Sequence, residues 1–483
     1  MKKAAVWLAG IMALALAVRG AEPRLDKKTA AGLAVVSGDA AYGFCRTLAA
    51  EPFAGRLSGS PGYAAAASWV AARFKEWGLR SPAGGFLQPF PSPFSQVDKA
   101  EMSFSVAGKE TKLQAGKDFL PLLFSDSGRV SGTAVFAGWG ISAPDLGYDD
   151  YAGADVRGRF VLCFRGTPDA TDKRFERHDE HRVRMQTARD KGALGLIYIY
   201  PEVQANPNGD RLEKFMPAEV SEAAADLLFG PRGITAAELK KNLQTYRVPI
   251  TFSLDARIDL EVEARHFASG RGFNVVGYLP GSDSRLKEEC VVLGGHLDGC
   301  GRHLGIVFPG ADDNASGSAV VMEIARAFAV SGLRPRRTLV FVLFGGEEMG
   351  LLGSYYFAAH VPVPLKKIGA MFNFDMEGEG ARAFAQYSPT PAALKAAIDK
   401  ADGFVRLVSG SRPLQEVGVR SSDFAPFFLQ GAPCAAFYSN GPHLHYHEEG
   451  DSIYRINPEI MGAISRLAFL SAWFWAERPS GND

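Results

Sequence analysis

The stretch VFVLFGGEEMGLLGS, Val340 to Ser354, decides how the rest of the chain is read. An apolar run from Leu339 to Phe344, rich in Val and Phe, predicts a buried strand. It stops at Gly345-Gly346, and two carboxylates, Glu347 and Glu348, follow at the strand's carboxyl end. In open α/β sheets that edge is where chemistry is placed. Like charges side by side at a dry strand end are unfavourable unless something positive lies beside them. By itself the pair reads as a solvated loop.

The flanking sequence changes that reading. Upstream, Val291-Val292-Leu293-Gly294-Gly295 leads to His296-Leu297-Asp298, and a later strand pattern, Met371 to Phe374, ends in Asp375. Between them, Gly310-Ala311-Asp312-Asp313-Asn314-Ala315-Ser316-Gly317 opens an amphipathic helix with Val320, Val321, Ile324, Ala325 and Phe328 on one stripe. A late segment holds His443, His445 and His447. Imidazoles and carboxylates at strand ends, a helix start and a late loop suit zinc or a similar divalent ion, and their number suits a two-metal hydrolase. His296 and Asp298 share a face of their strand, so Asp298 is a candidate partner for the second ring nitrogen of His296. Chemistry alone leaves Glu347 and Glu348 interchangeable as ligand and proton acceptor. Alternation alone leaves His443, His445 and His447 equally eligible, and Asp312 reads as a helix cap.

The 483 residues are 47% hydrophobic, enough for more than one domain, and Lys plus Arg equals Asp plus Glu at 53 each. No basic patch argues for nucleic acid. Residues 1–21 carry a signal-peptide pattern, Lys2-Lys3 followed by an apolar Ala4 to Val18 segment, so a secreted or periplasmic location is expected, with no membrane span beyond the signal. Five cysteines without CxxC spacing give no thiolate zinc motif, and Cys163 and Cys434 read as core thiols. A helix is expected from about Gly62 to Trp77. From about Pro121 to Leu254 short strand patterns dominate, with one helix near Val183 to Lys191 and an exposed loop from Thr167 to Glu180. His178 and the nearby His181 are expected at the surface.

Taken together, GGHLD, GADDNASG, FGGEEMGLLGS, FNFDM and YHEEGDS, in this order between about Asn274 and Asn457, resemble the co-catalytic zinc aminopeptidases. That family also includes glutamate carboxypeptidase II and, without activity, the transferrin receptor ectodomain. The resemblance implies an α/β zinc-exopeptidase fold, a mixed twisted sheet sandwiched between helices. It implies two Zn2+ per chain, with Co2+ or Mn2+ also fitting: His296 and Asp375 on one ion, Glu348 and His447 on the other, Asp313 between them. Glu347 matches the general base acting on a metal-bridging hydroxide, Asp298 the acid behind His296, and Tyr446 a tyrosine that hydrogen-bonds the oxyanion. His447 is chosen over its neighbours because the family's ligand lies four residues before an Asp, here Asp451.

Residues 121–254 resemble the protease-associated domain inserted in many of these enzymes, leaving 22–120 and 255–483 as the two parts of the peptidase domain. Gly55-Arg56 and the helix after it resemble the family's N-terminal part. The implied activity is aminopeptidase action on peptides. A carboxypeptidase would need an arginine cluster, from Arg302, Arg412 or Arg420, and a dead binding protein would have lost ligands. Two positions depart from the family. Phe424 follows Ser422-Asp423 where a histidine is common, which affects expected substrate contacts, and Gly299 stands where a serine is common. His303 is expected at the surface.

Overall fold

The computed structural model describes residues 24–361, 367–415 and 421–479; the signal-peptide pattern and Arg420 lie outside them. An eight-stranded mixed sheet carries most of the second half of the chain. Its order is Leu87–Pro91, Arg271–Leu279, Thr338–Phe344, Glu289–His296, Lys367–Phe374, Cys434–Ser439, Ala383–Tyr387, Val408–Pro413. Thr338–Phe344, Glu289–His296, Lys367–Phe374 and Cys434–Ser439 run parallel, so their carboxyl ends share one edge.

The strand of the opening stretch is buried along its whole length because both faces are covered. Leu339, Phe341 and Leu343 enter one apolar cluster, and Val340, Val342 and Phe344 enter the other. On the first face pack the helices Gly38–Leu48, Pro61–Glu76, Gly317–Ser331 and Pro458–Ala476, with Phe328 and Phe469 stacked at 4.2 Å. On the second face lie Phe357, Phe424 and Phe427 from the helices Leu352–Ala359 and Ala425–Leu429 and the residue before the latter. This is the mixed α/β sandwich that the resemblance implies. The Pro61–Glu76 helix starts with Pro in its first turn and the Ser60 hydroxyl accepting from the Tyr63 N–H, and Gly78 follows it at φ +75°.

A second eight-stranded sheet has the order Lys109–Lys112, Phe94–Val106, Thr251–Phe267, Gly128–Ala137, Phe160–Phe164, Gly195–Tyr200, Ala218–Ser221, Phe119–Pro121. It reaches beyond the expected bounds of 121 and 254. The physical reason is a long antiparallel ribbon, Phe94–Val106 against Thr251–Phe267, paired from Phe94↔Phe267 to Val106↔Ala256. One face of this ribbon is charged, with Lys99, Glu101, Glu261 and Glu263, so short strands are expected from about Val97 to Asp118 but no unbroken apolar run marks how far the sheet extends.

The segment expected as an exposed loop contains the helical turn Glu176–Asp179, and the helix His181–Asp190 follows. His178 and His181 are buried, not at the surface, because the apolar floor of this module draws the rings inward. His181 meets the Tyr198 ring edge-on at 5.1 Å. All five cysteines are buried and free. Among the described residues no helix is long and apolar enough to cross a membrane.

Candidate metal centre

Three parallel strands deliver side chains to one edge. His296 ends Glu289–His296, Asp375 follows Lys367–Phe374, and Glu347 and Glu348 follow Thr338–Phe344 across a turn that Gly346 makes at φ +70°. Asp313 lies in the irregular turn Ala311–Ser316 that leads into the helix Gly317–Ser331. His447 comes from the loop after Cys434–Ser439.

These five residues converge. His296 Nε2 stands 3.1 Å from Asp313 Oδ1 and 3.3 Å from Asp375 Oδ1. His447 Nε2 stands 3.3 Å from the other oxygen of Asp313, Oδ2, and 2.8 Å from Glu348 Oε2. Two donors each about 2.0–2.1 Å from a tetrahedral ion are roughly 3.3 Å apart, and the separations of 3.1 and 3.3 Å fit such a pair, while 2.8 Å is shorter. Neither nitrogen of the buried His447 ring makes a hydrogen bond, although carboxylate oxygens lie that close. Asp313 thus offers one oxygen to each of two adjacent donor sets. Glu347 stands beside both, its Oε2 4.0 Å from His296 Nε2.

The electrostatics also call for positive charge. Burial pushes the Asp298 carboxyl up to about 8, with His296 opposing. Burial, reinforced by Glu348, lifts Glu347 well above the carboxylate range against the pull of His296. Although burial disfavours charged imidazoles, the surrounding acids raise both His296 and His447 well above their ordinary value. Divalent ions suit this donor set, and binding them would displace those protons.

Around the cluster sit the groups that fix it. Asp298 accepts the backbone N–H groups of Glu347 at 3.1 Å and Glu348 at 3.3 Å, tying the glutamate turn to the His296 strand. Its carboxylate is 3.8 Å from His296 Nδ1, whose nearer neighbour is the Asp298 carbonyl at 3.2 Å. Asp451 accepts the N–H groups of Asp312 and Asp313 at 2.7 and 3.0 Å. Ser422 donates to Asp375 Oδ2 at 2.5 Å and accepts from Asn373.

Arg56 is fully buried. It donates to the carbonyls of Leu297 at 2.7 Å and of Leu48, Pro309 and Gly310 at 2.8 Å each. It therefore holds the His296 strand end and the Asp313 turn together. Neither Arg56 nor the carboxylate of Asp451 carries a metal-ligand signature, so sequence reasoning passed over their work.

The three late histidines separate. His443 pairs with Asp312, which caps no helix and instead also accepts from the Gly378 N–H at 2.8 Å; His445 pairs with Glu448 at 2.7 Å; His447 alone of the three enters the cluster. Tyr446 stacks on the His447 ring at 3.8 Å and is 44% exposed, at the rim of the centre. His303 is buried rather than superficial, held by the Cys300 carbonyl at 2.7 Å. Phe424 points into the apolar cluster under the sheet, so its replacement of a histidine is absorbed by the core. Arg302 is engaged by Glu51. Arg412 lies on the edge strand, four strands from that of His296 and so about 19 Å away. These two described arginines form no cluster.

Residues 274–472 match the model of peptidase family M28. That segment of the chain is similar to the family. Among curated proteins, leupeptin-inactivating enzyme 1 of Streptomyces exfoliatus is 29% identical over 225 residues, 42% of this chain and 48% of that protein. The match therefore spans about half the length of that relative. An aminopeptidase of Pseudomonas aeruginosa is 25% identical over 461 residues, 86% of this chain and 76% of that protein. Among solved structures, a zinc aminopeptidase from Bacillus subtilis superposes with a TM-score of 0.61 at 19% identity, covering 93% of this chain and 97% of that one, a likeness of fold.

Proposed function

We propose that the chain is an exported zinc-dependent metallo-exopeptidase, an aminopeptidase that removes N-terminal residues from peptides. The observation that carries this reading is Asp313, whose two oxygens each stand within 3.3 Å of a different histidine nitrogen. His296, Asp313 and Asp375 would hold one Zn2+, and Asp313, Glu348 and His447 the other. Bound divalent ions would supply Lewis-acid polarisation of the scissile carbonyl and acidification of the attacking water.

The chain's own residues do the rest. Glu347, beside both donor sets and not needed by either, accepts the proton of the attacking water and passes it to the leaving amine nitrogen. Asp298 fixes where Glu347 and Glu348 stand by holding their backbone N–H groups. Tyr446, stacked on His447 at the rim, would hydrogen-bond the developing oxyanion through its hydroxyl. The related Pseudomonas protein being named an aminopeptidase favours a free α-amine on the substrate, and among the described residues Arg302 and Arg412 form no cluster that would favour a carboxypeptidase. Turnover of free-amine peptides, lost with chelator and restored by zinc, supports the proposal. Equal or faster cleavage of N-blocked peptides contradicts it.

A further inference from the structure

Cys300 lies beside the centre and no step above uses it. It is 3% exposed, and its Sγ stands 3.9 Å from Glu348 Oε1 and 3.4 Å from the Ala205 carbonyl. The donor atoms of Cys300, Glu348 and His447 all lie within 4.8 Å of one another. The thiol faces the Glu348 oxygen that His447 does not approach, and the His447 ring it adjoins has no hydrogen bond at either nitrogen. A sulfur about 2.3 Å and an oxygen about 2.0 Å from one tetrahedral ion are separated by roughly 3.5 Å. The observed 3.9 Å to Glu348 Oε1 lies a few tenths of an ångström beyond that value.

We propose that Cys300 supplies a fourth protein donor to the cation held by Asp313, Glu348 and His447, making that half of the centre thiophilic. The inference rests on the two-cation reading above. It makes the halves unequal. The His296 half would have His296, Asp313 and Asp375 as donors and would keep a position for water or substrate, whereas Cys300, grouped with Glu348 and His447, would add a donor to the half that Asp313 reaches through His447. Coordination forms one sulfur–metal bond and sends the thiol proton to solvent. A thiolate favours Zn2+, Co2+ or Cd2+ over Mn2+ at that half.

The test is cobalt substitution of the full chain, read by metal content and by absorption. Two cobalt ions per chain and a sulfur-to-cobalt charge-transfer band in the near ultraviolet are expected. The band should vanish in Cys300→Ser while the visible d–d bands remain. The same variant should lose one zinc ion to chelator at least about tenfold more readily than wild type. Two bound cobalt ions without the band in wild type, or a band that persists in Cys300→Ser, overturns the inference and leaves the two-cation reading standing. No bound cobalt overturns both. Should Cys300→Ser fail to fold, zinc-edge X-ray absorption of the wild-type protein decides, with sulfur in the zinc shell expected and an all-nitrogen-and-oxygen shell contradicting it.

Discussion

Glu347 and Glu348 are neighbours with different surroundings, and single substitutions separate their roles. Glu347→Gln removes a proton acceptor but no ligand, so zinc content should be unchanged while kcat falls by about 10²- to 10⁴-fold. Retained turnover would show that another group takes the proton. Arg56→Met removes the guanidinium from four carbonyls, of which Gly310 keeps the Ala315 N–H, and a buried carbonyl left unsatisfied costs roughly 1–3 kcal/mol. It should lower both the melting temperature and zinc retention, and Arg56→Lys should recover part of each. Unchanged zinc retention in a folded Arg56→Met protein would separate Arg56 from the centre.

His303 gives a pH signature. Burial depresses its imidazole to about 4, and its neutral form fits the site, Nε2 facing the Cys300 carbonyl and Nδ1 facing the Val97 N–H. The unfolded chain takes up this proton near pH 6.5, the folded chain only near 4. The unfolded state therefore binds more protons in that window. Stability is full at neutral pH and is lost as pH falls from about 6.5 to about 4, by roughly 3 kcal/mol. Chemical denaturation across this range should show His303→Gln with a slope smaller by about one proton, and an identical slope would contradict the assignment.

At the scale of elements, the edge that carries the candidate ligands was legible because strands buried on both faces write unbroken apolar runs, and His296, Glu347, Glu348 and Asp375 stand where those runs stop. What the pattern lacked was the close approach of helix to strand. The helix Leu352–Ala359 meets the sheet through Gly353, where a Cβ would fall 2.3 Å from both Asn274 Oδ1 and the Gly345 carbonyl. Helix propensity alone would favour Gly353→Ala by about 1 kcal/mol. Steric conflict with a main-chain oxygen outweighs it, so a net loss of about 1–3 kcal/mol in denaturant unfolding is expected. A stabilised variant would show that the helix can move away from Gly345. Three alternating histidines gave no local signal for choosing His447. The resemblance chose it by its spacing to Asp451, and in the fold Asp312 and Glu448 engage the other two, the former from far along the chain.

Across the whole molecule, the second sheet was readable as a separate β-rich module but not in its extent, because the half-charged ribbon Phe94–Val106 and Thr251–Phe267 lacks apolar runs. The module also touches the centre, as the Ala205 N–H donates to the His447 carbonyl at 2.8 Å and Arg182 reaches the Met349 carbonyl. No sequence pattern foretells such contacts between distant segments. The central claim is that the five ligands hold two cations with Asp313 shared between them. Anomalous diffraction at the zinc edge from zinc-loaded crystals tests it most directly. Two peaks about 3.5–4 Å apart, one on each side of the Asp313 carboxylate, are predicted; a single peak, or peaks away from His296 and His447, would contradict the account.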